Sequence, residues 1–211
     1  LRIYGTDAAD TLMVNETMFY YAGLETLFSG APNIEDMKVE FYQGNDVLYM
    51  YGQPAYLPAL IQGHEGDDVF NFGRDEFDGV NMLDQIDSLV VVEAGEGFDL
   101  VNLFDYDDIE NNTGSLTITT LNGQAASATY GLGMDEGVGA TEGVEEVLVM
   151  LGSGNNTFTV VQTLPDVPTT VLSGSGNDVI TVESTSSEVL VDAGAGADVI
   201  TFEGGGGVTE V

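Results

Sequence analysis

Apolar side chains along this chain recur in a fixed frame around a set of polar residues that we call anchors. The anchors are Asp10, Asp46, Asp68, Asp99, Asn156, Asp178 and Asp198. The positions two and four residues after each anchor are apolar in every case, and so is the position seven residues before it. Apolar residues at a period of two indicate one face of a β-strand. Each anchor therefore follows one predicted strand and precedes another.

A short glycine-containing segment joins the two strands of each unit, as in "GHEGDD", which ends at Asp68, and "SGSGND", which ends at Asp178. Glycine is expected there because a tight turn requires backbone positions with positive φ. Successive anchors are 36, 22, 31, 57, 22 and 20 residues apart. The spacings predict a unit of about 20–22 residues, with insertions near 15–36, 73–88 and 104–146. Residues 116–130 are predicted to supply strands of a unit that lacks the turn.

A unit this short cannot bury its apolar face alone, so successive units must stack on one another. The pattern therefore predicts an all-β protein, a right-handed parallel β-solenoid of the β-helix or β-roll kind. It has one glycine-rich turn per coil and inserted loops, and residues 1–211 form one segment of it. With one turn per coil, we expect all the turns to lie along a single edge.

The position eight residues before each anchor is predicted to face outward. Four of these positions hold large apolar residues, namely Leu60, Val91, Leu148 and Leu190. Exposed apolar side chains in a row indicate a face that something covers. Either the inserted segments or another subunit would cover this face.

The net charge of the chain limits the classes of molecule that it can bind. It has 36 acidic residues against three basic ones, and a formal net charge of −33. Such a surface excludes nucleic acid and repels anionic membranes, whereas it attracts cations. A merely soluble or halophilic acidic coat is the alternative, although it does not explain acidic residues at fixed spacing beside glycine. With no run of 18 apolar residues we expect no membrane insertion, and with no cysteine there is no thiolate site.

The turns resemble the hemolysin-type (RTX) calcium-binding repeat, whose nonapeptide reads G-G-x-G-x-D-x-U-x with U apolar. "GHEGDDVFN" (63–71) departs from it only at His64, and "SGSGNDVIT" (173–181) and "AGAGADVIT" (193–201) depart only at the first glycine. The chain also resembles the degenerate repeats of giant bacterial and algal surface proteins. It differs from the RTX β-roll in having one motif per longer coil instead of two per coil.

The resemblance implies Ca²⁺ held between stacked turns by carbonyl groups and the anchor side chains. The implied metal ligands are Asp10, Asp46, Asp68, Asp99, Asn156, Asp178 and Asp198. An alternative stays open, in which each anchor only accepts hydrogen bonds from turn amides. A second acidic cluster, "FDYDDIENN" (104–112), is interpreted as a solvated insertion.

No catalytic set can be assembled, because His64 is the only histidine and the basic residues are scattered. We expect no enzymatic activity. The resemblance implies a calcium-stabilised structural module of a large extracellular surface, stalk or filament protein, in contact with further repeats or other subunits. The alternative is a calcium-dependent adhesin that binds glycans through Tyr42, Tyr49, Tyr51 and Tyr56. Ice binding is a distant third, because the rows Ser153, Ser175, Ala195 and Asn155, Asn177, Ala197 are short and interrupted by alanine.

Overall fold

The computed structural model describes residues 1–15, 18–21, 24–27, 34–52, 57–74, 79–86, 88–116, 121–124, 138–163, 166–204 and 208–210. Within these ranges the regular structure consists of β-strands, and no helix is present. The strands of the N-terminal half are β1 (Arg2–Tyr4), β2 (Thr11–Val14), β3 (Met18–Tyr21), β4 (Leu24–Leu27), β5 (Met37–Glu40), β6 (Val47–Met50), β7 (Ala59–Glu65), β8 (Val69–Phe72), β9 (Val90–Glu96) and β10 (Asp99–Phe104). Those of the C-terminal half are β11 (Thr113–Leu116), β12 (Leu121–Gln124), β13 (Val138–Glu142), β14 (Val144–Met150), β15 (Thr157–Val160), β16 (Thr169–Leu172), β17 (Val179–Val182), β18 (Val189–Asp192), β19 (Val199–Phe202) and β20 (Val208–Glu210).

The strands form two ten-stranded sheets. The first sheet has the order β1-β5-β7-β9-β13-β12-β11-β15-β17-β19, and the second has the order β20-β18-β16-β14-β10-β8-β6-β2-β3-β4. Most neighbours are parallel; the antiparallel pairs are β2–β3, β3–β4, β11–β12 and β12–β13. The prediction of an all-β protein with parallel sheets is confirmed.

The chain alternates between the two sheets, but the anchor turns change sides midway. The turns before Asp10, Asp46, Asp68 and Asp99 lead from the first sheet to the second, whereas those before Asn156, Asp178 and Asp198 lead back from the second to the first. Strands β10 and β14 are parallel neighbours. One anchor turn precedes β10 and another follows β14, so the two groups lie at opposite ends of the strands.

The expectation of a single row of turns along one edge is therefore wrong. The change of side falls within the 57 residues between Asp99 and Asn156. There the chain leaves β10, passes through β11, β12 and β13 in the first sheet, and returns to the second sheet at β14. The same apolar pattern results whether a unit runs from the first sheet to the second or from the second to the first. The columns of apolar residues therefore do not reveal that the turns change side.

The predicted inward columns form the core. Of the positions two and four residues after the anchors, all are buried except Ile200, which is half-buried, and Phe202, which is 41% exposed. The positions seven residues before the anchors are all buried, from Ile3 to Val191. Burying each such side chain stabilises the folded state by roughly 1.5–3 kcal/mol. This burial explains why strands of only three or four residues persist.

The predicted outward apolar column divides between two faces. Leu60 and Val91 are register partners in the first sheet, whereas Leu148 and Leu190 flank Thr170 in the second. All four large side chains are half-buried. The expectation of one apolar outer face is wrong for the same reason as the single edge: the units change side between Asp99 and Asn156.

Candidate metal-binding turns

Four of the anchors form a hydrogen-bonded ladder along one edge, which we call the first ladder. The backbone N–H of Asp10 donates to Asp46 Oδ1 (2.6 Å), that of Asp46 to Asp68 Oδ1 (2.8 Å) and that of Asp68 to Asp99 Oδ1 (2.8 Å). The N–H of Asp99 donates to Glu145 Oε2 at 2.7 Å. Glu145 thus ends the ladder. Sequence reasoning missed it because a Glu takes the anchor position, although Gly143 lies two residues before it and Val138, Val147 and Val149 fill the apolar positions of the frame.

A second ladder runs along the opposite edge. The N–H of Asn112 donates to Asn156 Oδ1 (3.0 Å), that of Asn156 to Asp178 Oδ1 (2.7 Å) and that of Asp178 to Asp198 Oδ1 (2.9 Å). The structure thus brings the seven predicted site residues together in two groups, four on one edge and three on the other. Asn112 was missed as an anchor because Asp108 and Glu110 stand four and two residues before it, where most of the other turns carry glycine.

The backbone of the turns has the positive φ that the sequence predicts. Gly66 has φ 137° and Gly176 has φ 129°, and a Cβ at either would overlap the carbonyl oxygen of the turn stacked against it. Two non-glycine residues also adopt this conformation four residues before an anchor, Tyr42 (φ 75°) and His64 (φ 78°). Close stacking therefore excludes a side chain at Gly66 and Gly176, whereas the turns of Asp46 and Asp68 accommodate one four residues before the anchor.

Four anchor carboxylates are buried with one oxygen left without a partner. Asp46 is 1% exposed, and Asp68, Asp99 and Asp178 are fully buried. In each, Oδ1 accepts a ladder hydrogen bond, whereas Oδ2 has no hydrogen-bond partner. A buried charged oxygen without a partner is strongly unfavourable. These four oxygens are therefore open to a water molecule, a proton or a cation.

Burial also raises the pKa of these carboxyl groups. The pKa of Asp46 and of Asp99 rises to about 6, and that of Asp68 to about 7, because burial disfavours the charged form. Burial also raises the pKa of Asp178. Removal from water is the largest cause in each case. At neutral pH these groups therefore favour binding a positive species, either a proton or a metal ion.

Asp68 Oδ2 lies close to a second oxygen acceptor beside Gly63. A Cβ at Gly63 would overlap both Asp68 Oδ2 and the carbonyl oxygen of Ala94 on the next turn. Two oxygen acceptors therefore face one small space that glycine leaves open. A hard cation that prefers carboxylate and carbonyl oxygen fits this donor set.

Asp10 differs from the buried anchors. Its Oδ2 accepts hydrogen bonds from the backbone N–H of Thr6 (2.6 Å) and from the Thr6 hydroxyl (3.1 Å), and the residue is half-buried. This is the hydrogen-bonded turn that was left open as the alternative to metal binding. The alternative describes the Asp10 turn, whereas the turns with an unpartnered Oδ2 do not follow it.

Asn156 satisfies its own turn. Its Nδ2 donates to the carbonyl oxygens of Gly152 (3.0 Å) and Gly154 (3.2 Å), which lie four and two residues before it. The residue is 1% exposed, like the buried aspartates. The amide therefore uses both of its N–H donors inside the turn.

A cluster of three carboxylates lies at the start of the second ladder. One oxygen from each of Asp84, Asp105 and Asp108 lies within 4.8 Å of the others, so the cluster could hold a metal ion. Asp105 and Asp108 are 5% and 3% exposed, so the interpretation of 104–112 as a solvated insertion is wrong for these two carboxylates. It holds for Asp107 and Glu110, which are exposed. Asp105 accepts from Leu83 N–H (2.9 Å), and burial raises its pKa to about 7. Segment 79–86 packs against this turn, where the N–H of Asn81 also donates to Asp107 Oδ2 at 2.8 Å.

The three basic side chains are engaged elsewhere. Arg2 pairs with Asp36 at 2.6 Å and Lys38 with Glu40, and Arg74 lies over the rings of Tyr49 and Phe104. His64 is exposed and stacks on Tyr42, with ring centroids 5.7 Å apart, and Tyr42 stacks on Tyr4 at 6.4 Å. Of the tyrosines proposed to bind sugar, Tyr42 is 39% exposed, Tyr49 and Tyr51 are half-buried, and Tyr56 lies outside the described residues.

Comparison with protein-family models, with curated proteins and with solved structures found no match to this chain. Among the described residues there is no helix of the length and hydropathy needed to cross a membrane.

Proposed function

We propose that the protein is a calcium-stabilised structural module of a large extracellular surface, stalk or filament protein, without enzymatic activity. The observation that carries the proposal is the set of four buried anchor oxygens that lack a partner, in Asp46, Asp68, Asp99 and Asp178. They occur at glycine-containing turns in register, which supports the resemblance to the hemolysin-type calcium-binding repeat.

The chemistry of the donor set favours Ca²⁺ over other metals. The chain offers no thiolate, and its single histidine is exposed on an outer stack. What the turns offer is carboxylate and carbonyl oxygen, the ligands that Ca²⁺ takes in numbers of six to eight. Asp68 with the Ala94 carbonyl beside Gly63 is the best-defined pair. The position of Gly63 is taken by Phe41, Ala94 and Ser173 in the turns of Asp46, Asp99 and Asp178, so there the unpartnered Oδ2 alone marks the place of an ion. When bound, the ion supplies the positive charge that the buried carboxylates lack.

The alternation of strands between two parallel sheets supports a β-solenoid as the architecture of the module, and the usual hand of parallel crossovers makes it right-handed. The turns of successive coils then form the two ladders, and ions bound in them would link one coil to the next. Calcium sites of extracellular modules have dissociation constants near 10⁻⁴–10⁻³ M. A module whose coils are held together in this way would be rigid where calcium is plentiful, which fits a stalk or filament outside the cell.

Calorimetric titration with CaCl₂ tests the proposal. We expect sites with dissociation constants of roughly 0.1–1 mM in the wild type. A variant with Asp46, Asp68, Asp99 and Asp178 all changed to Asn is expected to lose them. The matched control changes four exposed acidic residues, Glu96, Glu110, Glu183 and Glu203, to Gln, which removes the same charge. Equal calcium binding by both variants would mean that calcium binds to the acidic surface in general, and it would contradict the proposal.

A second candidate function, glycan binding by an adhesin, is favoured by one observation. Tyr4, Tyr42 and His64 form an exposed aromatic stack beside the first ladder, and the last two take positive φ, which is unfavourable for non-glycine residues. A glycan array with and without EGTA distinguishes the two functions. Glycan binding that calcium supports and that Tyr42→Ala abolishes would favour the adhesin.

A further inference from the structure

We infer that asparagine at an anchor replaces the metal ion. The Asn156 turn then needs no cation, and the choice of Asp or Asn decides for each buried turn whether it binds one. This inference rests on the proposed function, because it takes the buried aspartates to bind Ca²⁺. It changes the set of metal ligands implied by the resemblance, which included Asn156.

The orientation of the Asn156 amide follows from the ladder. Its Oδ1 accepts the backbone N–H of Asn112 at 3.0 Å, so the oxygen points toward the neighbouring turn. The nitrogen then faces its own turn, where it donates to the carbonyl oxygens of Gly152 and Gly154. The opposite orientation would place an oxygen against two carbonyl oxygens and an N–H against an N–H. Only one orientation satisfies every group.

Asp178, the next rung, is the direct comparison. Its Oδ1 accepts the N–H of Asn156 at 2.7 Å, and the residue is as deeply buried as Asn156. At the position of the amide nitrogen, however, it carries Oδ2, which has no partner. Burial raises the pKa of Asp178 and the neighbouring Ser173 hydroxyl lowers it in part, but that hydroxyl donates its hydrogen to the Ala193 carbonyl at 2.8 Å. The carbonyl groups two and four residues before it belong to Gly176 and Gly174. Where Asn supplies two N–H donors, Asp supplies a negative charge and no donor.

Asn112 resembles Asn156, because its amide nitrogen also lies between two oxygen acceptors, which here are carboxylates instead of carbonyl groups. Its Nδ2 donates to Asp105 Oδ2 at 2.9 Å and to Asp108 Oδ2 at 2.6 Å. Two successive rungs at the start of the second ladder therefore have an amide nitrogen between oxygen acceptors. The rungs formed by Asp46, Asp68 and Asp99 have no such donor at Oδ2. The second ladder thus begins with rungs that are satisfied by the chain itself.

Reciprocal substitutions test the inference, with bound Ca²⁺ counted by equilibrium dialysis and thermal midpoints measured in EGTA. Asn156→Asp is expected to bind one more ion per chain than the wild type and to melt roughly 5 °C lower in EGTA. Asp178→Asn is expected to bind one ion fewer and to melt no lower than the wild type in EGTA. Asn156→Ala is the control, since it removes the amide donors without adding a carboxylate. It is expected to lower the midpoint and leave the ion count unchanged.

The outcomes separate this inference from the proposed function. A wild type that binds no Ca²⁺ would overturn the proposed function. A wild type that binds Ca²⁺ while Asn156→Asp, refolded in ~10 mM CaCl₂, gains no ion would overturn the inference alone. If Asn156→Asp does not fold, Asp178→Asn decides: an unchanged ion count, or a lower midpoint in EGTA, contradicts the inference.

Discussion

At the scale of single residues, the two oxygens of each buried carboxylate have different surroundings. Oδ1 of Asp68 joins its turn to the turn before it, whereas Oδ2 faces the Ala94 carbonyl across the space left by Gly63. Leaving a buried polar group unsatisfied costs roughly 1–3 kcal/mol, and more if the group is charged. Four such oxygens, without an ion, would cancel much of the stability of an ordinary domain.

Truncation of Asp68 to Ala is expected to reduce stability mainly when calcium is present. The wild type gains about 2 kcal/mol per ion at ~10 mM calcium and a ~0.3 mM site. The variant loses that gain and the ladder bond from Asp46, so urea unfolding in CaCl₂ should show a loss of roughly 2–4 kcal/mol. Glu183→Ala, at an exposed position, is the control. Equal losses in CaCl₂ and in EGTA would argue against an ion at Asp68.

Gly63 offers a test that leaves the carboxylate in place. A methyl group there would occupy the space that Asp68 Oδ2 and the Ala94 carbonyl face. Gly63→Ala is expected to destabilise the protein by roughly 2–4 kcal/mol and to abolish one calcium site. At Gly204 the nearest atom to an added Cβ is 3.4 Å away, so Gly204→Ala is the control. Retention of every calcium site in Gly63→Ala would contradict the assignment of that space.

Without calcium, stability is expected to fall as the pH rises. Folding raises the pKa of Asp46 and Asp99 from 3.8 to about 6, and that of Asp68 to about 7. The folded state therefore binds more protons than the unfolded state between about pH 4 and pH 7, and stability decreases across that interval. Thermal midpoints in EGTA at pH 5 and pH 8 measure this, and we expect the midpoint at pH 5 to be higher. A higher midpoint at pH 8 would contradict the burial of charged carboxyl groups.

At the scale of strands, the alternation of apolar residues predicted the elements and their inward faces. The columns beginning at Ile3, Leu12 and Val14 lie in the core because only one register places them all inward. The same columns did not reveal on which side each turn lies, since a unit reads alike in either direction between the sheets. Glu145 was missed because a glutamate stands where the other anchors are Asp or Asn, although its turn keeps the glycine and the apolar frame. Asn112 was missed because its turn lacks the glycine pattern.

The inward and outward residues of β17 provide a test at this scale. Ile180 is fully buried, whereas its neighbour Thr181 faces the other side of the sheet and is half-buried. Ile180→Ala is expected to cost roughly 2–5 kcal/mol through the cavity that it leaves. Thr181→Ala should change the unfolding free energy by less than about 1 kcal/mol. Similar losses in the two variants, measured by urea denaturation in calcium, would contradict the predicted faces.

At the scale of the whole molecule, the net charge of −33 gives the two ladders a second role, because cations bound there would also reduce charge repulsion. Self-repulsion at this charge opposes the compact state. Cations bound along both edges would reduce the repulsion where carboxylates are stacked most closely, and would do so at both ends of the strands. Composition alone predicted the attraction for cations, whereas only the folded chain shows which carboxylates are buried without a partner.

The thermal midpoint with and without calcium tests the central claim most directly. Circular dichroism follows the melting of the β-sheets in ~10 mM CaCl₂, in MgCl₂ of equal ionic strength and in EGTA. Four sites that each add about 2 kcal/mol predict a midpoint roughly 15–30 °C higher in CaCl₂ than in EGTA. MgCl₂ should give much less, because Mg²⁺ demands a strict octahedral site and releases its water reluctantly. The same midpoint in all three solutions would contradict the account.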